Sequence, residues 1–425
     1  MVLGSNKPAW LGRQSVRVKA LLAVGATAGL AGLGVAMAAG PALADPGVTY
    51  IAVGSNTTQN LMDAFATTTG GLVGSYDAVD PVTGGTATST PPDLINAFVN
   101  SGSSQTLESF LRPNGSGDGL TSLRYSNGAS GLTPYDSGTT AEMPVKGAVA
   151  FSRSSGSPTS VAGAANVSTT GQYQWIPYAY DDVAVSTGPG TKITTAGDFT
   201  FTDLTNLYKN CDTVTEGGVT YWPLGSPNPD PAGAVTIDLY VPQSGSGSRN
   251  FWLDTFTGQH SSLPACVFDV SKAGADLGAS LEENNGTIVA DDPNGIFPYS
   301  VGQWLFQQKN AGSPADLRDG AVLNTVSNGA SPAVLISPFG NPPTDTTMNT
   351  TTFPIFRELY NVFITSQVVG TGADPNLVNM FVGTGSALCS NAGIIRAAGF
   401  APLAGTQAPD ACGLTSASER AYANG

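Results

Sequence analysis

Apolar and polar positions along the chain fall into blocks whose period switches between strand-like and helix-like. Val48-Thr49-Tyr50-Ile51-Ala52-Val53 is an apolar strand pattern, Gly54-Ser55 breaks it, and Leu61, Met62 and Phe65 then return at helical spacing. Residues 145–151 predict a further strand that runs into Ser152-Arg153-Ser154-Ser155-Gly156. Trp175-Ile176-Pro177-Tyr178-Ala179-Tyr180 predicts another, continuing through Asp181-Asp182 into Val183-Ala184-Val185. Residues 201–208 read as a short helix with Thr202 or Asp203 near its cap. Residues 235–241 are strand-like, and a hydroxyl-rich loop at 244–249 precedes an amphipathic helix begun by Phe251, Trp252, Leu253 and Phe256. Strands alternating with helices predict a mixed α/β protein. No repeat of 20–50 residues recurs, which argues against solenoids and propellers.

The first 44 residues follow a different pattern. Lys7, Arg13, Arg17 and Lys19 precede an uncharged apolar run over residues 20–39, and Pro41-Ala42-Leu43-Ala44 places small residues before Asp45. This predicts a signal peptide over 1–44 cleaved near Ala44-Asp45, and an extracellular protein, free or held at the cell surface. The competing reading is an uncleaved anchor, because the run approaches the length of a membrane span.

Composition narrows the function. At about 100–200 residues per domain, a chain of 425 residues holds two or three compact units. Only 11% of residues are charged, Gly (53) and Pro (29) are abundant, and the net charge is −14, a surface suited to secretion and not to a phosphate backbone, so no nucleic acid is expected as partner. The single histidine, His260, excludes multi-histidine metal sites and lies in a polar stretch, so neither a metal nor a cofactor is expected. The acid pairs Glu282-Glu283 and Asp291-Asp292 read as solvated turns, so no enzyme is expected. Four cysteines allow three pairings, and their grouping favours structural disulfides Cys211–Cys266 and Cys389–Cys412.

Two loops carry candidate chemistry. Gly54-Ser55-Asn56-Thr57 lies between a strand and a helix start, where free N–H groups and the helix dipole favour an anion. In Ser244-Gly245-Ser246-Gly247-Ser248-Arg249 the glycines let backbone amides approach a ligand, the serines donate, and Arg249 offers a forked donor. For the first loop an ordinary helix cap is the plainer explanation; the second shares its composition with flexible linkers, but its place between a strand and a helix raises it well above a linker.

Taken in order, these loops resemble those of the phosphate-binding proteins of ABC transporters, within the type II periplasmic-binding-protein fold. Residues 54–57 look like the family's first phosphate loop. Residues 126–131 look like its glycine/serine loop, with Ser130 on the hydroxyl donor. Residues 151–155 stand where a ligand-facing aspartate is usual, Gly245-Ser246-Gly247-Ser248 is similar to the G-S-G-T loop, and Phe353-Pro354-Ile355-Phe356-Arg357-Glu358-Leu359-Tyr360 resembles the segment before the return strand. The aspartate position is Ser155 here, and an arginine expected before the loop serine is Pro242, with Arg249 as a common variant and Arg153 as a second cation. The resemblance implies two α/β lobes around a hinge and an interlobe cleft, residues 45–180 with 355–425 and residues 181–354. It implies a tetrahedral oxyanion such as phosphate, bound by Ser55, Asn56, Thr57, Ser130, Ser154, Ser246, Gly247, Ser248 and Arg249 for uptake with an ABC transporter permease. Asp181 and Asp182, near the implied hinge, are candidates to replace the missing aspartate, against plain cap or hinge hydrogen bonding. The alternative is a secreted surface or interaction protein that keeps the fold without tight ligand binding.

Overall fold

The computed structural model describes residues 49–79, 94–101, 104–259, 262–274, 277–340, 347–403 and 411–423. The expected signal peptide, its cleavage site and His260 lie outside the described residues. The first apolar run forms strand β1, Tyr50–Gly54, buried throughout. Gly54 then turns the chain at φ +96° into helix α1, Asn56–Thr68. A side chain at Gly54 would be strained by that φ and would press within 3.0 Å of the Gly119 Cα and the Arg153 carbonyl, so the strand-to-helix corner depends on glycine.

The remaining elements that position the site are β2 (Val73–Ser75), α2 (Ser116–Ser126), β3 (Phe151–Ser154), β4 (Gly171–Thr187), β5 (Val214–Glu216), β6 (Val219–Pro223), β7 (Val235–Tyr240), α3 (Gly247–Phe256), β8 (Gly295–Ser300), α4 (Val301–Lys309) and β9 (Phe356–Ile364). The nine strands run in the order β2-β1-β3-β9-β4-β8-β7-β6-β5 within one mixed sheet, which short strands on β4 and β7 extend to thirteen among the described residues. β1 is parallel to β2 and β3, while β9 and β4 run antiparallel in the middle. Beyond them β8, β7 and β6 are parallel to one another. The sheet therefore joins two parallel halves through an antiparallel centre.

β4 is the strand that both halves share. Its residues Tyr173 to Asp182 pair with β9, and Val183 to Ser186 pair with β8. It is buried from Tyr173 onward, as expected of a central strand covered on both faces. Side chains alternate into two cores. On β1, Tyr50 and Ala52 join one cluster with Leu61, Phe65 and Phe151, whereas Ile51 and Val53 join another with Leu120, Leu123 and Trp175.

The mixed α/β class expected from the blocks is what the chain forms. Local boundaries differ. The strand expected over 145–151 starts only at Phe151, because Gly147 at φ +83° closes a turn just before it. The helix expected over 201–208 begins at Phe201 and is α-helical to Thr205, then continues as a π-helical turn over Asn206–Asn210. Thr200 caps it, its side chain accepting from the Asp203 N–H while its own N–H donates to the Asp203 carboxylate. Both expected disulfides form, Cys211–Cys266 and Cys389–Cys412. Among the described residues no helix is long and apolar enough to cross a membrane.

Candidate functional site

Four helices point their N-termini into one buried region. At α1, Asn56, Thr57 and Thr58 are buried in the first turn. At α3, the cap Ser246 accepts from the Arg249 N–H, and Gly247 and Ser248 follow it into the interior. The α2 start is tied to the same loop by the Gly117 N–H donating to the Gly245 carbonyl at 2.8 Å. Gly247 packs against Ser116 and Ser155, and a Cβ there would come within 2.7 Å of Ser155 Oγ. At α4, the cap Ser300 accepts from the Gln303 N–H, and Gln303 donates its side-chain amide to the Thr57 carbonyl. Helix N-termini carry partial positive charge and unpaired N–H groups, so their convergence calls for anions.

The chain places two of its own carboxylates there. Asp181, fully buried, accepts Ser300 Oγ at 2.8 Å and the Gly302 N–H at 3.1 Å through Oδ1, which caps α4. Its Oδ2 receives Arg357 Nε and Nη2 at 3.1 and 2.8 Å. Burial pushes the Asp181 carboxyl up, while Arg357 and the α4 donors pull it back. The third arm of Arg357, Nη1, donates to Ser248 Oγ at 2.9 Å.

Glu283 is the second carboxylate. Its Oε2 accepts hydroxyls from Thr57 at 3.0 Å, Ser246 at 3.2 Å and Ser248 at 2.5 Å. Thr57 Oγ1 also lies 3.2 Å from Ser248 Oγ and accepts Asn284 Nδ2 at 3.1 Å. Glu282, beside it, accepts Asn114 Nδ2 on both oxygens and Gln243 Nε2 on one. Burial raises the Glu282 carboxyl to about 7. Asp118 lies against the Gly245 backbone, and burial with the neighbouring Asp136 holds it well above the carboxylate range. The Asp136 carboxyl is itself pushed up to about 6 by burial. Asp182 points away from Arg357 and is raised well above its usual value by burial and by Asp181.

Several expectations change against this arrangement. Glu282-Glu283 is not a solvated turn: Glu283 is 1% exposed and sits among the loop hydroxyls. Asp292, expected at the surface with Asp291, is buried and accepts the Tyr240 hydroxyl at 2.6 Å. Of the residues expected at the site, Thr57, Ser246 and Ser248 are brought together, with Gly247 packed behind them. Ser55 and Asn56 are buried at the same helix start, and Ser55 Oγ has no hydrogen-bond partner among the described residues. Ser154 turns its hydroxyl onto the Gly156 carbonyl, 2.7 Å away. Ser130 is exposed past the C-terminal end of α2, an eleven-residue helix of roughly 16 Å, so Ser116 takes the helix-start position instead. Arg249 faces Asp269 at 2.6 Å and the Pro242 carbonyl. Arg153 spends its guanidinium on Ser75 and the carbonyls of Ala52, Gly54, Ser55 and Tyr76. The cation at the site is Arg357. Its segment stands out in the sequence, but only the β4–β9 register shows that it faces Asp181.

No protein-family model matches the chain, and no curated protein matches it. Solved structures do. An ABC-type phosphate transport receptor from Vibrio cholerae aligns over 83% of this chain and 99% of its own at 13% identity and a TM-score of 0.39. PstS from Borrelia burgdorferi aligns over 84% of this chain and 99% of its own at 15% identity and a TM-score of 0.36. Both are similar to this chain in the run of the backbone.

Proposed function

We propose that the chain is an exported solute-binding protein for a tetrahedral oxyanion such as phosphate. In this reading the ligand is taken between two lobes, residues 45–180 with 355–425 and residues 181–354, for delivery to an ABC-type permease. The observation that carries it is the convergence of the Thr57, Ser246 and Ser248 hydroxyls on one buried acceptor, with the Arg357 guanidinium donating to one of those hydroxyls, Ser248. These donors come from separate stretches of chain, Thr57 and Arg357 on one proposed lobe and Ser246 and Ser248 on the other. An anion held from both sides favours the closed arrangement, because only there do Thr57 on one side and Ser246 and Ser248 on the other reach it together. Helix starts at α1 and α3 add backbone N–H groups, and this local chemistry is compatible with an acidic outer surface.

A second reading is supported by the carboxylates already present. Asp181 neutralises Arg357, and Glu283 takes the hydroxyls, which suits a secreted interaction protein that has no need of a ligand. Titration calorimetry with phosphate, sulfate and arsenate separates the two. Heat of binding to at least one anion, weakened in Ser248→Ala, supports the binding protein. A folded protein silent toward all three leaves the interaction protein.

A further inference from the structure

Glu283 sits where an external ligand of the proposed site would have to sit. Each hydroxyl has one proton to donate, and the distances direct those of Thr57, Ser246 and Ser248 to Glu283 Oε2. A second anion cannot receive the same three protons at the same time. The other oxygen, Oε1, is buried and has no hydrogen-bond partner among the described residues. A carboxylate recruited only to hold loops together is expected to satisfy both oxygens, since buried polar atoms are rarely left unpaired. Here three donors crowd one oxygen and none among the described residues reaches the other.

The loop around Glu283 is held, not slack. Asn284 adopts the left-handed φ of +62° and is buried, and its carbonyl accepts the Tyr299 hydroxyl at 2.6 Å and Gln307 Nε2 at 2.9 Å. Its side chain donates to the same Thr57 hydroxyl. The backbone therefore presents the Glu283 side chain to the hydroxyls at high effective concentration.

We infer that Glu283 is a tethered anion occupying the oxyanion site, so that an external oxyanion binds only when the Glu283 carboxylate leaves Thr57, Ser246 and Ser248. This rests on the binding-protein reading and adds a built-in competitor to it. It sets the affinity of the protein below what its donors alone would give, and it keeps the unliganded site filled. The contrasting role, a carboxylate that stays in place as a further ligand contact, makes the opposite forecast for its removal.

The experiment is calorimetry at pH 8 on the full exported chain with inorganic phosphate, comparing wild type, Glu283→Gln, Glu283→Ala and Glu282→Gln. The last variant removes the same charge one residue away and outside the hydroxyl cluster. Displacement expects phosphate affinity to rise at least tenfold in Glu283→Ala, and less in Glu283→Gln, whose amide oxygen still accepts hydroxyls. Glu282→Gln should gain less than threefold. A second measurement uses formate and acetate, which should raise the melting temperature of Glu283→Ala and not of wild type by filling the vacated carboxylate position. Unchanged or weaker phosphate binding in both Glu283 variants overturns the inference and leaves the binding protein standing. An equal gain in Glu282→Gln reduces the effect to general charge and also overturns it. Phosphate silence in every variant, with no response to formate or acetate, ends both readings together.

Discussion

Arg357 and Asp181 stand directly opposite each other on β9 and β4, and two nitrogens of the guanidinium close on one carboxylate oxygen while the third reaches Ser248. The pair joins three things that the chain keeps far apart in sequence: the central antiparallel register, the start of α4 through Asp181, and the serine loop through Ser248. Asp181 and Arg357 are 0% and 5% exposed, so neither charge has water to fall back on. A buried pair of this kind contributes little as a pair, yet breaking it is costly because the survivor stays uncompensated.

Arg357→Ala should accordingly destabilise the protein by about 3–5 kcal/mol, the usual penalty for orphaning a buried charge. Asp181→Asn, which keeps an oxygen for the α4 donors, should cost less. Urea unfolding of both variants measures this, and a loss below 1 kcal/mol in Arg357→Ala would contradict the pairing as described.

Anion affinity should depend on the hydroxyls that meet and ignore those that do not. Ser248→Ala and Thr57→Val should each weaken phosphate binding by about ten- to a hundredfold, the worth of one hydrogen bond to a charged acceptor at about 1.5–3 kcal/mol. Ser130→Ala and Arg249→Ala should stay within about threefold, since Ser130 is exposed and Arg249 is committed to Asp269. A large loss in Arg249→Ala would return that arginine to the site.

Stability should fall as the pH rises from acid to neutral. Glu282 and Asp136 hold their protons in the folded chain up to about 7 and about 6, above the usual range near 4 for unfolded carboxylates. Between those values the folded state binds more protons than the unfolded one, so each step up in pH destabilises it until the folded groups have ionised. The melting temperature at pH 5 should exceed that at pH 8 by about 5 °C, and Glu282→Gln should flatten the slope. A midpoint that climbs from pH 5 to pH 8 would show that other groups dominate.

Each disulfide closes a segment within its own region of the chain, over separations of 55 and 23 residues. Removing either pair by Cys→Ser substitution should cost about 2–4 kcal/mol. Thermal unfolding of the two double variants checks this, and a variant as stable as the parent would mean that its bridge adds nothing to the fold.

N-terminal sequencing of protein recovered from the medium should begin at or near Asp45. A chain found only in membranes and still carrying Met1 would replace the signal peptide by an anchor.

The blocks of apolar residues were enough to foresee the mixed architecture, because β1, β4, β7 and the helices after β1 and the serine loop each show their own period. Thr57, Ser246 and Ser248 were legible for a related reason, since strand–glycine–helix corners announce where free N–H groups lie. Arg357 and Glu283 were not. An arginine in an apolar strand looks the same whether it faces a core carboxylate or the outside, and only the register with Asp181 decides. Glu283 sits in a polar stretch that reads as solvated, and its burial comes from Tyr299 and Gln307 gripping the next residue from β8 and α4. Ser130 illustrates the reverse error: a small-residue loop was attractive by composition but lies at the wrong end of α2.

The sharing of β4 between the two halves of the sheet has a consequence for how the chain acquires its shape. Asp181 leaves the synthetic machinery some 176 residues before its partner Arg357. Until β9 arrives, one edge of β4 lacks its neighbour and a buried acid lacks its cation, so the central pairing has high contact order and forms late. The segments that β4 later unites must wait as separate, incomplete pieces. Assembly of the middle of the molecule is therefore timed by its last quarter.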